Sequence, residues 1–180
     1  EASDDAEHAF SLYGEAQQWD ECKRIVLLNA ERLFSEGRWR TLIDWIESLP
    51  TDVATGDAWL VYWLGMSQFQ IDQALSRVTL TKAFEQFRAD ADELGQMLTA
   101  ASILIGYYLE YANWEHAEPW IFRLGSLLER QPTFPTPEIE MTVYSGMLYG
   151  IAIRRPDHAL LPACIERTVS LIERDLQSNA

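Results

Sequence analysis

At 180 residues, 48% apolar and 12% aromatic, the chain can bury a substantial core without disulfide or metal support, and its composition is far from that of a disordered segment. Its formal charge is −14, its positive charges are two lysines, Lys23 and Lys82, and twelve arginines, and no basic stripe of the kind that displaces counterions from phosphate is visible. That balance argues against direct nucleic-acid binding and against a site on an anionic membrane surface.

Two cysteines, Cys22 and Cys164, lie far apart without metal-ligand spacing and fit a reducing, cytoplasmic compartment. No apolar run approaches the roughly 20 residues of a membrane span. The first residues, Glu1-Ala2-Ser3-Asp4-Asp5, are acidic, lack a signal-peptide core and lack an initiator Met, which predicts a segment cut or processed from a longer chain.

Apolar positions recur at helical spacing almost throughout. A first helix is predicted over about residues 3–16, with Ser3 as its cap and Ala6, Ala9, Phe10 and Tyr13 on one face. A second, over about 19–36, carries Trp19, Cys22, Val26, Ala30 and Leu33, and Gly37 ends it. Cys22 on that face reads as a buried, inert thiol. A third, over about 38–48, carries Trp39, Leu42, Ile43 and Ile46 and stops at the Leu49-Pro50 break.

The next, over about 56–69, is apolar nearly all round, so neighbours must cover both sides. The segment over about 72–89 spaces Leu80, Ala83, Phe84 and Phe87 as i, i+3, i+4, i+7. Further helices are predicted over about 91–111, 114–129, 137–153 and 156–177. Three prolines between Gln131 and Pro137 mark the clearest loop, and Pro119 and Pro162 must occupy early helical turns or cause kinks.

A turn-like start recurs: Ile71-Asp72-Gln73-Ala74, Asn113-Trp114-Glu115-His116-Ala117 and Arg155-Pro156-Asp157-His158-Ala159. Ala117 follows Ala74 by 43 residues, and Ala159 follows Ala117 by 42. Such a period signals stacked helical hairpins, none able to bury its apolar face alone. The predicted fold is all-α: an α-α superhelix, a solenoid with about four hairpins and roughly nine helices in a single domain over 1–180. The first helix of each pair would be sandwiched and the second more amphipathic.

Gly37-Arg38-Trp39 followed by Leu42-Ile43-Asp44-Trp45-Ile46-Glu47-Ser48-Leu49-Pro50, then Trp59 to Gly65, Ala74 and Ala83-Phe84-Glu85-Gln86-Phe87, resembles the MalT-like helical repeat. That repeat belongs to the tetratricopeptide-type region of large ATP-dependent regulators of the signal-transduction NTPase class. The likeness covers about residues 15–175. It implies an α-α superhelix taking part in inducer sensing and self-association within a cytoplasmic signalling or transcriptional regulator. No G-x-x-x-x-G-K-[ST] phosphate loop and no basic helix-turn-helix accompanies it, so neither nucleotide nor DNA binding carries over.

In superhelices of this type the first helix of each pair lines the concave surface. Trp59, Tyr62, Trp63, Tyr107, Tyr111, Tyr144 and Tyr149 belong to those helices and are candidate anchors for a partner or ligand, with core packing as the alternative. At least two of the seven are expected to face a groove. Arg154-Arg155 is the only adjacent basic pair, either capping a helix C-terminus or clamping an acidic group. Glu110 reads as a surface helix end or as a groove-lining carboxylate.

His116 and His158 stand one repeat apart, on the order of 10 Å in stacked helical pairs, with no third ligand nearby, and read as polar repeat positions rather than metal ligands. No catalytic motif is present, and no cofactor or metal is expected. The functional expectation is a non-catalytic interaction or sensor region binding a protein partner or neighbouring domains of its parent chain. A pocket for a small-molecule inducer and a self-association module are the rivals.

Overall fold

The computed structural model describes residues 2–110, 114–130 and 132–178. Among the described residues the chain is all-helical, as its periodicity requires, with ten α-helices, one 3-10 turn and no strand. The helices are α1 (Ala2–Glu15), α2 (Trp19–Ser35), α3 (Trp39–Ser48), α4 (Thr51–Thr55), α5 (Ala58–Gln68), α6 (Gln73–Ala89), α7 (Glu93–Glu110), α8 (Glu118–Leu128), α9 (Pro137–Arg154) and α10 (Leu161–Ser178). They form two compact units, residues 1–86 and 87–180, with the division inside α6.

In the first unit α2 is the central element, packed by α1, α3 and α5. Its Cys22, Val26, Ala30 and Leu33 repeat at i, i+4, i+8, i+11, so they share one stripe. That stripe meets Leu42 and Ile46 of α3 and Leu60 of α5, and all seven side chains are closed to solvent. Phe10 of α1 stacks on Trp45 of α3 with ring centres 4.7 Å apart, adding dispersion to the burial.

The all-round apolar character of α5 has the expected cause. One side enters the α2–α3 core through Leu60. The other meets α6 at Gly65, where an added Cβ would lie 2.8 Å from Leu80 Cγ. Two buried hydroxyls tie this hairpin: Ser76 Oγ donates to the Gly65 carbonyl at 2.7 Å, and Thr79 Oγ1 donates to Gln68 Oε1 at 2.6 Å. Buried polar groups paired in this way stabilise one register of the two helices rather than penalising burial.

The second unit is two helical hairpins, α7 with α8 and α9 with α10, joined because α9 packs along α7 and also touches α8. The approach of α9 to α7 is close enough that a Cβ on Gly146 would fall 2.6 Å from Ala101 Cα. A Cβ on Gly150 would meet Ile121 Cγ1 at 3.0 Å and Leu104 Cδ2 at 3.1 Å. α7 is the sandwiched helix, buried without interruption from Gly95 to Leu104. Its hydroxyls satisfy themselves locally, Thr99 Oγ1 on the Gly95 carbonyl and Ser102 Oγ on the Leu98 carbonyl. α9, packed by α7, α8 and α10, is less enclosed: Val143, Gly146, Met147, Gly150 and Ile151 are buried, and its other residues are half-buried or exposed.

Three connections are built alike. The amide of Gln18 donates to the Tyr13 carbonyl, that of Arg38 to Leu33 and that of Asp92 to Phe87, each a bond across five residues. The preceding residues, Gln17, Gly37 and Ala91, donate across three residues and hold φ at 55°, 74° and 56°. This paired bonding is the Schellman ending, which satisfies orphan carbonyls and turns the chain straight into the next helix. Asp57, Asp72, Asp92 and Thr136 then cap α5, α6, α7 and α9 by accepting first-turn amides.

Element ends differ from expectation where proline sets them. The break at Leu49-Pro50 is followed at once by the short α4, because Pro50 stands ahead of the helix and its carbonyl accepts from Val53 and Ala54. α10 begins at Leu161 rather than near residue 156. A start at 156 would have placed Pro162 in the helix interior, where it lacks a donor and clashes with the preceding turn. A 3-10 turn, Trp114–Ala117, precedes α8 for the same reason, leaving Pro119 at the second helical position. α1 begins at Ala2, so Ser3 lies in its first turn rather than at its cap.

The non-glycine left-handed residues generate a prediction. Ala91→Gly relieves the steric cost of positive φ and raises the unfolding free energy by about 1 kcal/mol, whereas Gly37→Ala, with open space for its methyl, lowers it by a similar amount through backbone strain alone. Thermal unfolding followed by circular dichroism should show shifts of opposite sign, about 2–4 °C each.

Candidate interaction surface

The candidate anchors divide by the helical angle at which they sit. Tyr62 and Tyr107 are buried in the cores of their respective units. Trp59 and Trp63 are half-buried on α5 of the first unit, where Trp59 packs edge-on to Tyr62 and Tyr62 to Trp63, and Trp63 packs at a tilt on Phe34 of α2. Tyr144 and Tyr149 are half-buried on α9. Tyr111 lies outside the described residues.

Tyr144 faces into the seam between α9 and α10, edge-on to Phe134. Burial pushes its phenol above the ordinary value, with Cys164 and Glu140 adding to the shift. Glu140 accepts two bonds from Arg167, from Nε at 2.6 Å and from Nη2 at 2.7 Å. That forked pair keeps the Arg167 guanidinium protonated and joins the two helices. The Tyr144 environment is thus a polar tie inside the hairpin.

Tyr149 differs. It stacks face to face on Tyr108 of α7 with ring centres 4.2 Å apart and planes 8° apart. Tyr108 and the adjacent Leu109 are exposed, as is Ile153 one turn beyond Tyr149. The C-terminal ends of α7 and α9 therefore present a stacked tyrosine pair with two aliphatic neighbours. Tyr107 is among the candidate anchors and Tyr108 is not, yet consecutive helical residues stand about 100° apart, so one of the two had to turn away from the core.

Arg154 and Arg155 end α9, and both approach Glu118 at the start of α8, Arg155 at 3.2 Å and Arg154 at 3.9 Å. All three are substantially exposed, so the pair contributes little to stability. The arrangement joins a helix C-terminus carrying cations to a helix N-terminus carrying an anion, each favoured by its dipole. Glu110 is half-buried in the last turn of α7.

His116 is exposed in the 3-10 turn, and His158 accepts the Leu160 amide on Nδ1 ahead of α10. Among the described residues no group of three or more His, Cys, Asp or Glu side chains is placed to hold a metal, and no helix is long and apolar enough to cross a membrane. Comparison of the chain with protein-family models, with curated proteins and with solved structures finds no match.

Both thiols are sealed in cores. Cys22 is inaccessible, its Sγ 3.7 Å from the Phe10 carbonyl, and burial raises its pKa. Burial pushes Cys164 up to about 11. Because only the thiolate attacks, native protein at pH 8 should react with a disulfide reagent at least about tenfold more slowly than protein in guanidinium. Two fast equivalents in the native state would contradict this placement.

Proposed function

We propose that this chain is a non-catalytic protein-interaction region built as a helical repeat array of the α-α superhelical kind. In this reading it docks a partner on the first-position helices of its hairpins. The observation that supports it is the Tyr108–Tyr149 stack with exposed Leu109 and Ile153. Stacked tyrosines supply rigid apolar area with polar tips at low side-chain entropy cost, which is what binding hot spots require. A pair already stacked before binding is also preorganised. The likeness of residues 15–175 to MalT-like repeats is in keeping with a sensing or coupling role in a cytoplasmic signalling or transcriptional regulator.

On this account binding depends on aromatic contact rather than on metal or nucleotide. Affinity capture with the native chain, quantified by mass spectrometry, should recover a protein partner equally with chelator present and with nucleotide absent. The double variant Tyr108→Ala, Tyr149→Ala should weaken recovery by a factor on the order of 30, matching the loss of about 2 kcal/mol at a hot spot. Its helical content should be unchanged, and Leu28→Ala, an exposed apolar change on α2, should have no effect. Equal capture by the native chain and the double variant would reject the reading.

A further inference from the structure

The last hairpin of the second unit carries a second uncovered surface, distinct from the tyrosine pair. α10 buries only a narrow stripe, Cys164, Thr168 and Leu171, against α9. Beside it runs another apolar stripe, Ile165, Val169, Ile172 and Leu176, at i, i+4, i+7, i+11, and all four are about half-exposed or more, between 46% and 66%. Four such residues in one row match the partner-facing side of an amphipathic helix, and among the described residues no helix closes over them. The row extends about 17 Å along the helix, or three turns.

At its C-terminal end the row opens into a groove of about 770 Å³ between the end of α10 and the start of α9. Pro137, Met141, Leu171, Ile172 and Leu176 provide its apolar surface. The charged groups lining it are Glu138, Arg174 and Asp175, with Gln177 as a neutral polar neighbour. Arg167, further back on α10, is already neutralised by Glu140. Glu138 lies in the first turn of α9, and the Thr136 hydroxyl and its own backbone amide hold its carboxyl below the ordinary range. Two of these three charged groups are acidic, on a chain of formal charge −14. A second copy would bring like charge to like charge, whereas a basic partner gains from the same field.

We infer that the groove between the start of α9 and the end of α10, continued by the Ile165–Leu176 stripe, docks one amphipathic helix of a protein partner whose apolar face is flanked by lysine or arginine. The helix lays leucine-sized side chains against Ile172, Leu176 and Met141, in the helix-in-groove mode. Its flanking cation faces Glu138. This surface does not involve Tyr108 or Tyr149, so it stands or falls apart from the proposed function.

The test uses the intact chain and a labelled 14-residue Leu/Lys peptide designed as an amphipathic helix. Two controls accompany it: a scrambled peptide of the same composition and a Leu/Glu counterpart. Fluorescence anisotropy should show the Leu/Lys helix binding at least tenfold more tightly than either control. Ile172→Asp and Leu176→Asp, both at exposed positions, should each weaken that binding at least tenfold, while Phe122→Asp on α8 leaves it unchanged. Glu138→Lys should lower affinity for the Leu/Lys peptide and raise it for the Leu/Glu peptide. Equal binding of the scrambled peptide, or no loss in the α10 variants, would overturn the inference. So would sedimentation showing a native dimer that Leu176→Asp dissociates, since a second copy would then occupy the groove.

Discussion

The close approach of α9 to α7, with Gly146 seated over Ala101, is the contact on which the second unit depends. Two helices approach this closely only where a side chain is missing, and even a methyl at Gly146 would overlap Ala101 backbone atoms. The gain is dispersion and burial along the whole line, including Leu104 against Gly150 and Met147 against Gly125. The cost is the backbone freedom that glycine loses on entering a helix. Because α9 lies across both members of the α7–α8 pair, neither hairpin needs to be stable alone. That is the physical content of a repeat: each unit leaves an apolar face that only the next can cover.

The same logic explains what stays uncovered. α7 has neighbours around most of its circumference and buries an unbroken run of ten residues, Gly95 to Leu104. α9 packs on α7, α8 and α10 yet buries only five residues fully, and α10 packs chiefly on α9. The apolar residues that further helices would hide are therefore visible, as the Ile165–Leu176 stripe and as the aromatic pair at the ends of α7 and α9. Exposed apolar groups scattered singly need no explanation, but rows and stacks do. In the first unit, by contrast, α2 is packed by α1, α3 and α5, and its core stripe is fully closed.

Much of the fold was legible in the residues. The helical period places nearly every element, and the turn-like starts at Ala74, Ala117 and Ala159 fall at or just ahead of α6, α8 and α10, although Ala117 is buried and the other two are exposed. Less legible were the connections. Gly37 announces a left-handed cap, but Gln17 and Ala91 adopt the same conformation without glycine, because the bonds to Tyr13 and Phe87 offset the strain. Proline positions were legible only in combination. Pro162 left an early-turn place and a kink both open; it takes the first turn, and that displaces the start of α10 by several residues. The candidate surface was the least legible part. Tyr107 and Tyr108 are adjacent and chemically identical, and only the packing of α7 decides which one faces out. The forked bond from Arg167 to Glu140 joins residues 27 apart, a separation with no local signal.

The central claim is that α9 rests directly on α7 through a glycine contact, so that one hairpin completes the burial of the other. Methyl-detected NMR on alanine-labelled protein tests it without altering the chain. The account predicts a strong nuclear Overhauser effect between the Ala101 methyl and the Gly146 α-protons, since the two backbones are in van der Waals contact there. A well-resolved Ala101 methyl showing effects only to residues of its own helix would contradict it.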